Sequence, residues 1–135
     1  MSTQIYVNLP VKNLDKSIKF FTQLGYQFNP QFTDENATCM IINDNTSVML
    51  LVEPFFAGFI DKSIADARTS TEVLLAMSLD SRAEVDAFIA KAVAAGGSTT
   101  LEARDHGFMY QRSFADLDGH QWEVFWMDES QMPAE

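Results

Sequence analysis

Two stretches of this chain run through the same order of periodicities, and that repeat constrains the fold more than any single residue does. In residues 4–11, QIYVNLPV, Ile5, Val7, Leu9 and Val11 alternate with Tyr6, Asn8 and Pro10. Period two is the mark of a half-buried strand. NLDKSIKFFTQLG follows, with Asn13 or Asp15 to cap a helix over 15–24, Ile18, Phe21 and Leu24 at helical spacing, and Gly25 to stop it. QFNPQF, ATCMII and SVMLLVE then read as three strands, the last two joined by the turn NDNT. The second half restarts with the strand EVLLAMSLD and a helix over 82–95. Ser81 and Glu84 form a capping box there, Val85, Phe88, Ile89, Ala92 and Val93 make the apolar face, and Gly96-Gly97 end it. STTLEA, GFMYQRSFAD and HQWEVFWM read as the closing strands, with Asp118-Gly119 as a hairpin signal. Each half is βαβββ, with one helix and one sheet, too little to close a core alone. The expectation is an α+β fold: a single domain over 1–135, built from modules 1–53 and 72–135, with mixed curved sheets around a central cleft. Residues 54–71 are the connector, with a short helix expected near 62–67.

Composition narrows the function classes. The 135 residues are 47% apolar and 21% charged, the balance of a folded globular chain. Nine Lys and Arg against nineteen Asp and Glu give a net charge of −10. Nucleic acid and anionic membrane both need a basic face, so neither is expected as a partner. The one cysteine, Cys39, allows no internal disulfide, and no CxxC or Cys/His cluster signals structural zinc. MSTQIYVNLP has no basic segment followed by an apolar core, so no secretory leader is expected. These readings point to a cytoplasmic protein. No GxGxxG or GxxxxGK[ST] signals a nucleotide loop.

VNLPVKNLDKSIKFFTQLGY at the start and FADLDGHQWEVFW at the end resemble the vicinal oxygen chelate superfamily. That group includes glyoxalase I, extradiol dioxygenases, fosfomycin-resistance enzymes and bleomycin-resistance proteins. The likeness spans nearly the whole chain and is closest to bacterial proteins described as predicted lactoylglutathione lyases. It implies a glyoxalase/dioxygenase-type fold, a small-molecule ligand in the cleft between modules and a homodimer. Enzymes of the superfamily hold a divalent metal at four cleft-facing positions. Here those positions carry Tyr6, Met49 or Leu51, Leu74 and Glu123. Only Glu123 is of the expected ligand type, and a catalytic metal needs about three protein ligands plus an open position. No metal or other cofactor is therefore expected, and whether the protein is a lyase-like or dioxygenase-like enzyme or a metal-free binding protein stays open.

The candidate site follows from the same positions. Glu123, between Trp122 and Val124, is a cleft carboxylate that could bind a metal, take a substrate proton or pair with Arg112. Tyr6 is its candidate partner in acid–base work. Asn8 and Leu74 are candidate ligand contacts. Arg112 either runs its stem to solvent or enters the cleft to meet a carboxylate. Phe55 and Phe56, in the connector, read as core, as an apolar lid or as a dimer contact. His106 and His120 read as loop and turn residues, and Cys39 has no nearby base to activate it.

Overall fold

The computed structural model describes residues 3–131 and divides into two compact units, with the boundary between Asp66 and Ala67. In the first unit the alternating opening forms β1 (Ile5–Val11). It leads into α1 (Leu14–Gln23), β2 (Gln27–Phe28), a 3₁₀ turn (Pro30–Phe32), β3 (Ala37–Asn43), β4 (Thr46–Val52) and α2 (Glu53–Ala57). The sheet order is β1-β4-β3-β2, with β1 parallel to β4 and the other pairs antiparallel. Asn13 is the cap of α1, accepting the Lys16 amide at 3.0 Å. Leu14, Ser17, Phe20 and Phe21 are the buried face, packed on β3 and β4. Gly25 ends the helix at φ +103°, a conformation L side chains avoid.

The second unit repeats the plan with β5 (Leu75–Ser78), α3 (Arg82–Ala94), β6 (Arg104–Asp105), β7 (Met109–Ala115) and β8 (Gln121–Met127). Its order is β5-β8-β7-β6, again with one parallel pair, β5 with β8. Two four-stranded mixed sheets with matching helix positions make the chain α+β with paired modules. Ser81 caps α3 by accepting the Glu84 amide at 3.1 Å. The returning Glu84 carboxylate accepts from Asp80 N at 2.8 Å, one residue earlier than the reciprocal box requires. Val85, Ile89 and Ala92 bury against β7 and β8, whereas Val93 is 46% exposed.

Three local expectations differ. QFNPQF holds its pairing for two residues only, because Pro30 has no N–H to give a ladder and starts the 3₁₀ turn. STTLEA contributes a single bridge, Ser98 to Ala115, before the chain leaves the sheet. The connector's helix is α2, directly after β4, and 62–67 is not helical. Pro54 in the first turn of α2 fits its missing N–H to a position that needs none.

The β7–β8 turn is built on Asp116. Its buried carboxylate accepts from the backbone N–H of Asp118 and His120 and from the Trp122 indole N–H, each at 3.0 Å. Burial pushes this carboxyl above the ordinary range. Gly119, at φ +89°, lies so close to the 67–68 backbone that a Cβ would stand 3.1 Å from Ala67 O. At the far end of the sheet Arg82 grips Asp105 with two hydrogen bonds of 2.7 and 2.8 Å and donates to Gly107 O. Its guanidinium lies 5.2 Å from the ring centroids of both Tyr110 and Trp126.

Asp116→Ala strands a buried indole N–H and two turn amides. It is expected to cost about 2–4 kcal/mol, read in urea as a lower midpoint at unchanged slope. The Arg82 contact holds the Asp105 carboxyl down to about 2, helped by the Gly107 amide. A depressed folded pKa adds stability above the ordinary value of 3.8 that is lost as pH falls toward 2. The gap between melts of the protein and of Arg82→Met should therefore narrow as pH falls through that window.

Candidate functional site

Alternation along β8 separates two kinds of residue. Trp122, Val124 and Trp126 share the face that carries α3. There Phe114 lies 5.7 Å from Phe88 and stacks 6.1 Å from Trp122. Gln121, Glu123 and Phe125 share the opposite face. Ser113 stands directly across from Glu123 on β7, and Ala76 across from it on β5. Gln111 and Arg104 lie on that same face one and two strands further, since Arg104 pairs with Gln111 in register.

Glu123 is only 8% exposed, and both its oxygens are occupied. Gln111 Nε2 donates to Oε1, and Gln121 Nε2 donates to Oε2 at 3.3 Å. The two amides come from different directions, Gln121 along the same strand and Gln111 diagonally from β7. They fix the carboxylate plane without neutralising its charge. Around it lies a pocket of about 110 Å³. Leu74 and Leu101 give it apolar wall, Ser113 a polar one, and Glu102 and Arg104 line it with opposite charges.

Of the residues expected at a site, Leu74, Arg112 and Glu123 border this one pocket. Arg112 does so from the other side of the sheet. Its Nη1 pairs with Asp86 of α3 at 3.2 Å, and Asp86 also accepts the Tyr110 hydroxyl at 2.7 Å. The reading in which Arg112 pairs with Glu123 does not occur, because the register puts Arg112 opposite Val124. Leu74 is 54% exposed. Tyr6 and Asn8 belong to the first unit, on edge strand β1, beside Ser47 and Met49 of β4. The Tyr6 hydroxyl donates to Gln4 Oε1 at 2.8 Å and Asn8 Nδ2 to the Tyr6 carbonyl at 3.1 Å. Phe55 and Phe56 lie on α2, Phe55 edge-on to Phe59 with centroids 5.2 Å apart.

A divalent metal would need donors that these positions lack. Leu74 and Met49 or Leu51 offer no oxygen or nitrogen, which leaves the Glu123 carboxylate and the Tyr6 hydroxyl, fewer than the three protein ligands that a catalytic metal needs. Among the described residues no group of three or more His, Cys, Asp or Glu could hold a metal ion. The side chains present therefore do not fit the metal that the superfamily's enzymes carry.

Sequence reasoning missed Gln111, Gln121 and Arg104. Gln121 was detectable, two residues before Glu123 and so on its face. Gln111 and Arg104 emerge only from the pairing register of β6, β7 and β8.

The family model for the Glyoxalase/Bleomycin resistance protein/Dioxygenase superfamily matches residues 3–124. Hypothetical protein SA1046 from S. aureus superposes with a TM-score of 0.79 at 29% identity, covering 93% of this chain and 95% of that one. A glyoxalase/bleomycin resistance protein/dioxygenase family enzyme from Burkholderia phytofirmans PsJN gives 0.77 at 16% identity, over 93% and 99%. The genomically encoded fosfomycin resistance protein FosX from Listeria monocytogenes gives 0.68 at 17% identity, over 96% and 97%. At such identities the last two share the fold alone. A comparison with curated proteins found no significant match. With the family model spanning most of its length and the paired modules in place, the chain belongs to the glyoxalase/bleomycin resistance protein/dioxygenase superfamily.

Proposed function

We propose that this protein binds a small organic molecule in the pocket at Glu123, without a metal ion. One observation carries the reading. A buried carboxylate is held by two neutral amides, faces a pocket and has no cation paired to it among the described residues. Burying an unneutralised carboxylate costs solvation energy, and a fold retains such a group more readily where a ligand uses it. The pocket's mixed lining, with leucines beside a few fixed polar groups, is the make-up of a ligand site. A lactoylglutathione lyase or dioxygenase reaction is the competing reading. It needs a metal, and the donor set argues against one.

Protein-observed NMR with a panel of small organic fragments tests the proposal. Binders should shift the signals of Gln111, Ser113, Gln121 and Glu123 together. Glu123→Gln should weaken them about tenfold or more, as expected when a charged hydrogen-bond acceptor is removed. Fragments that bind elsewhere, or none that bind at all, would overturn the reading.

Elemental analysis of protein purified without chelator should give no stoichiometric zinc, nickel, manganese or iron. The adduct of methylglyoxal and glutathione should show no metal-stimulated turnover. A stoichiometric metal with metal-dependent turnover would restore the enzyme reading.

A further inference from the structure

Among the described residues, three charged groups that line the pocket meet no partner of opposite charge: Glu123, Glu102 and Arg104. Among the described residues, the Glu123 carboxylate is met by the amides of Gln111 and Gln121. Arg104 has no acid within ion-pair distance among the described residues, whereas Arg82 and Arg112 are engaged by Asp105 and Asp86. Glu123 and Arg104 lie on the face away from α3, Arg104 in register with Gln111 and Glu123 in register with Ser113. That places them two strands apart and two residues along. With strands about 4.8 Å apart and a rise of about 3.4 Å per residue, their Cα atoms stand about 12 Å from each other. Leu74 and Leu101 line the space as apolar wall, and Glu102 adds a second carboxylate.

We infer that the pocket's ligand is a short zwitterion, with a protonated amine held by Glu123, an anionic group held by Arg104, and an apolar chain lying on Leu74 and Leu101. The inference rests on the pocket reading above and adds the chemical class. Size agrees. A volume of about 110 Å³, at about 10–15 Å³ for each water-sized occupant, admits on the order of eight heavy atoms. A chain of three or four carbons between an ammonium and a carboxylate falls within that. The planar fork of Arg104 suits a carboxylate, and Glu123, fixed by two amides, meets an ammonium without first reorganising.

The probes are γ-aminobutyrate, butylamine and butyrate, titrated by NMR into the full chain and into Arg104→Gln and Glu123→Gln. Arg104 is exposed, so its substitution leaves the core untouched, and a thermal melt checks that both variants are folded. The zwitterion should bind about tenfold or more tighter than either singly charged probe, as a retained charged hydrogen bond predicts. Its advantage over butylamine should vanish in Arg104→Gln, and its advantage over butyrate in Glu123→Gln. Equal binding of the three probes at the pocket, or an advantage that survives Arg104→Gln, would overturn the zwitterion and leave the pocket reading standing. Neutral fragments binding at Gln111 and Gln121 while all three probes fail would do the same. Failure of both probes and fragments would remove the pocket reading with it.

Discussion

The hydrogen bond from the Trp122 indole to Asp116 sets where β8 begins. The same carboxylate also closes the turn by accepting the amides of Asp118 and His120. Side chains alternate along a strand, so a slip of one residue would send Trp122 to the pocket face and Glu123 against α3. With the turn fixed, Val124 packs beneath the helix and Glu123 faces away from it. The diagonal approach of Gln111 and the position of Arg104 are set by the same register, carried outward through β7 to β6. A buried polar bond in the β7–β8 turn thus decides which residues the pocket contains.

The two units share a plan and differ in chemistry. In the first, Met49 occupies the place on β4 that Glu123 holds on β8, and its neighbour across the sheet is Asn8. That face carries Cys39 and Leu51 besides, both buried. It offers shape and apolar surface, with no charge. The second unit holds the carboxylate, its two amides and the unpaired guanidinium. The chain's acidity is therefore less informative than where its charges sit. Most acids are exposed, whereas Glu123 and Asp116 are buried among hydrogen-bond donors.

The repeat of βαβββ was legible because each element rests on local patterning: period two in β1, a cap and a glycine stop around α1, a Ser-x-x-Glu start for α3. The short pieces were not. β2 gives way at Pro30, and β6 is a two-residue pair that exists only because β7 lies beside it. Glu123 stood out as a lone acid in an apolar strand, and the ending DLDGHQWEV gave it weight. Asp116 was read as the last residue of the strand GFMYQRSFAD, since nothing local says that its carboxylate closes the turn and reaches an indole six residues on. Arg112 had two readings, solvent or a cleft carboxylate, and it pairs instead with Asp86, on a helix whose position against the sheet no local pattern supplies. Residues set by pairing across strands are hidden from a reading that moves along one.

On the reading proposed above, Glu123 binds a ligand while held by two amides and coordinates no metal. A high-resolution crystal structure of protein grown without added metal or chelator tests it most directly. Glu123 should keep Gln111 and Gln121 donating to its two oxygens, with organic density in the pocket between Glu123 and Arg104 after soaking with γ-aminobutyrate. A metal ion coordinated by Glu123, with the two amides turned away, would contradict it.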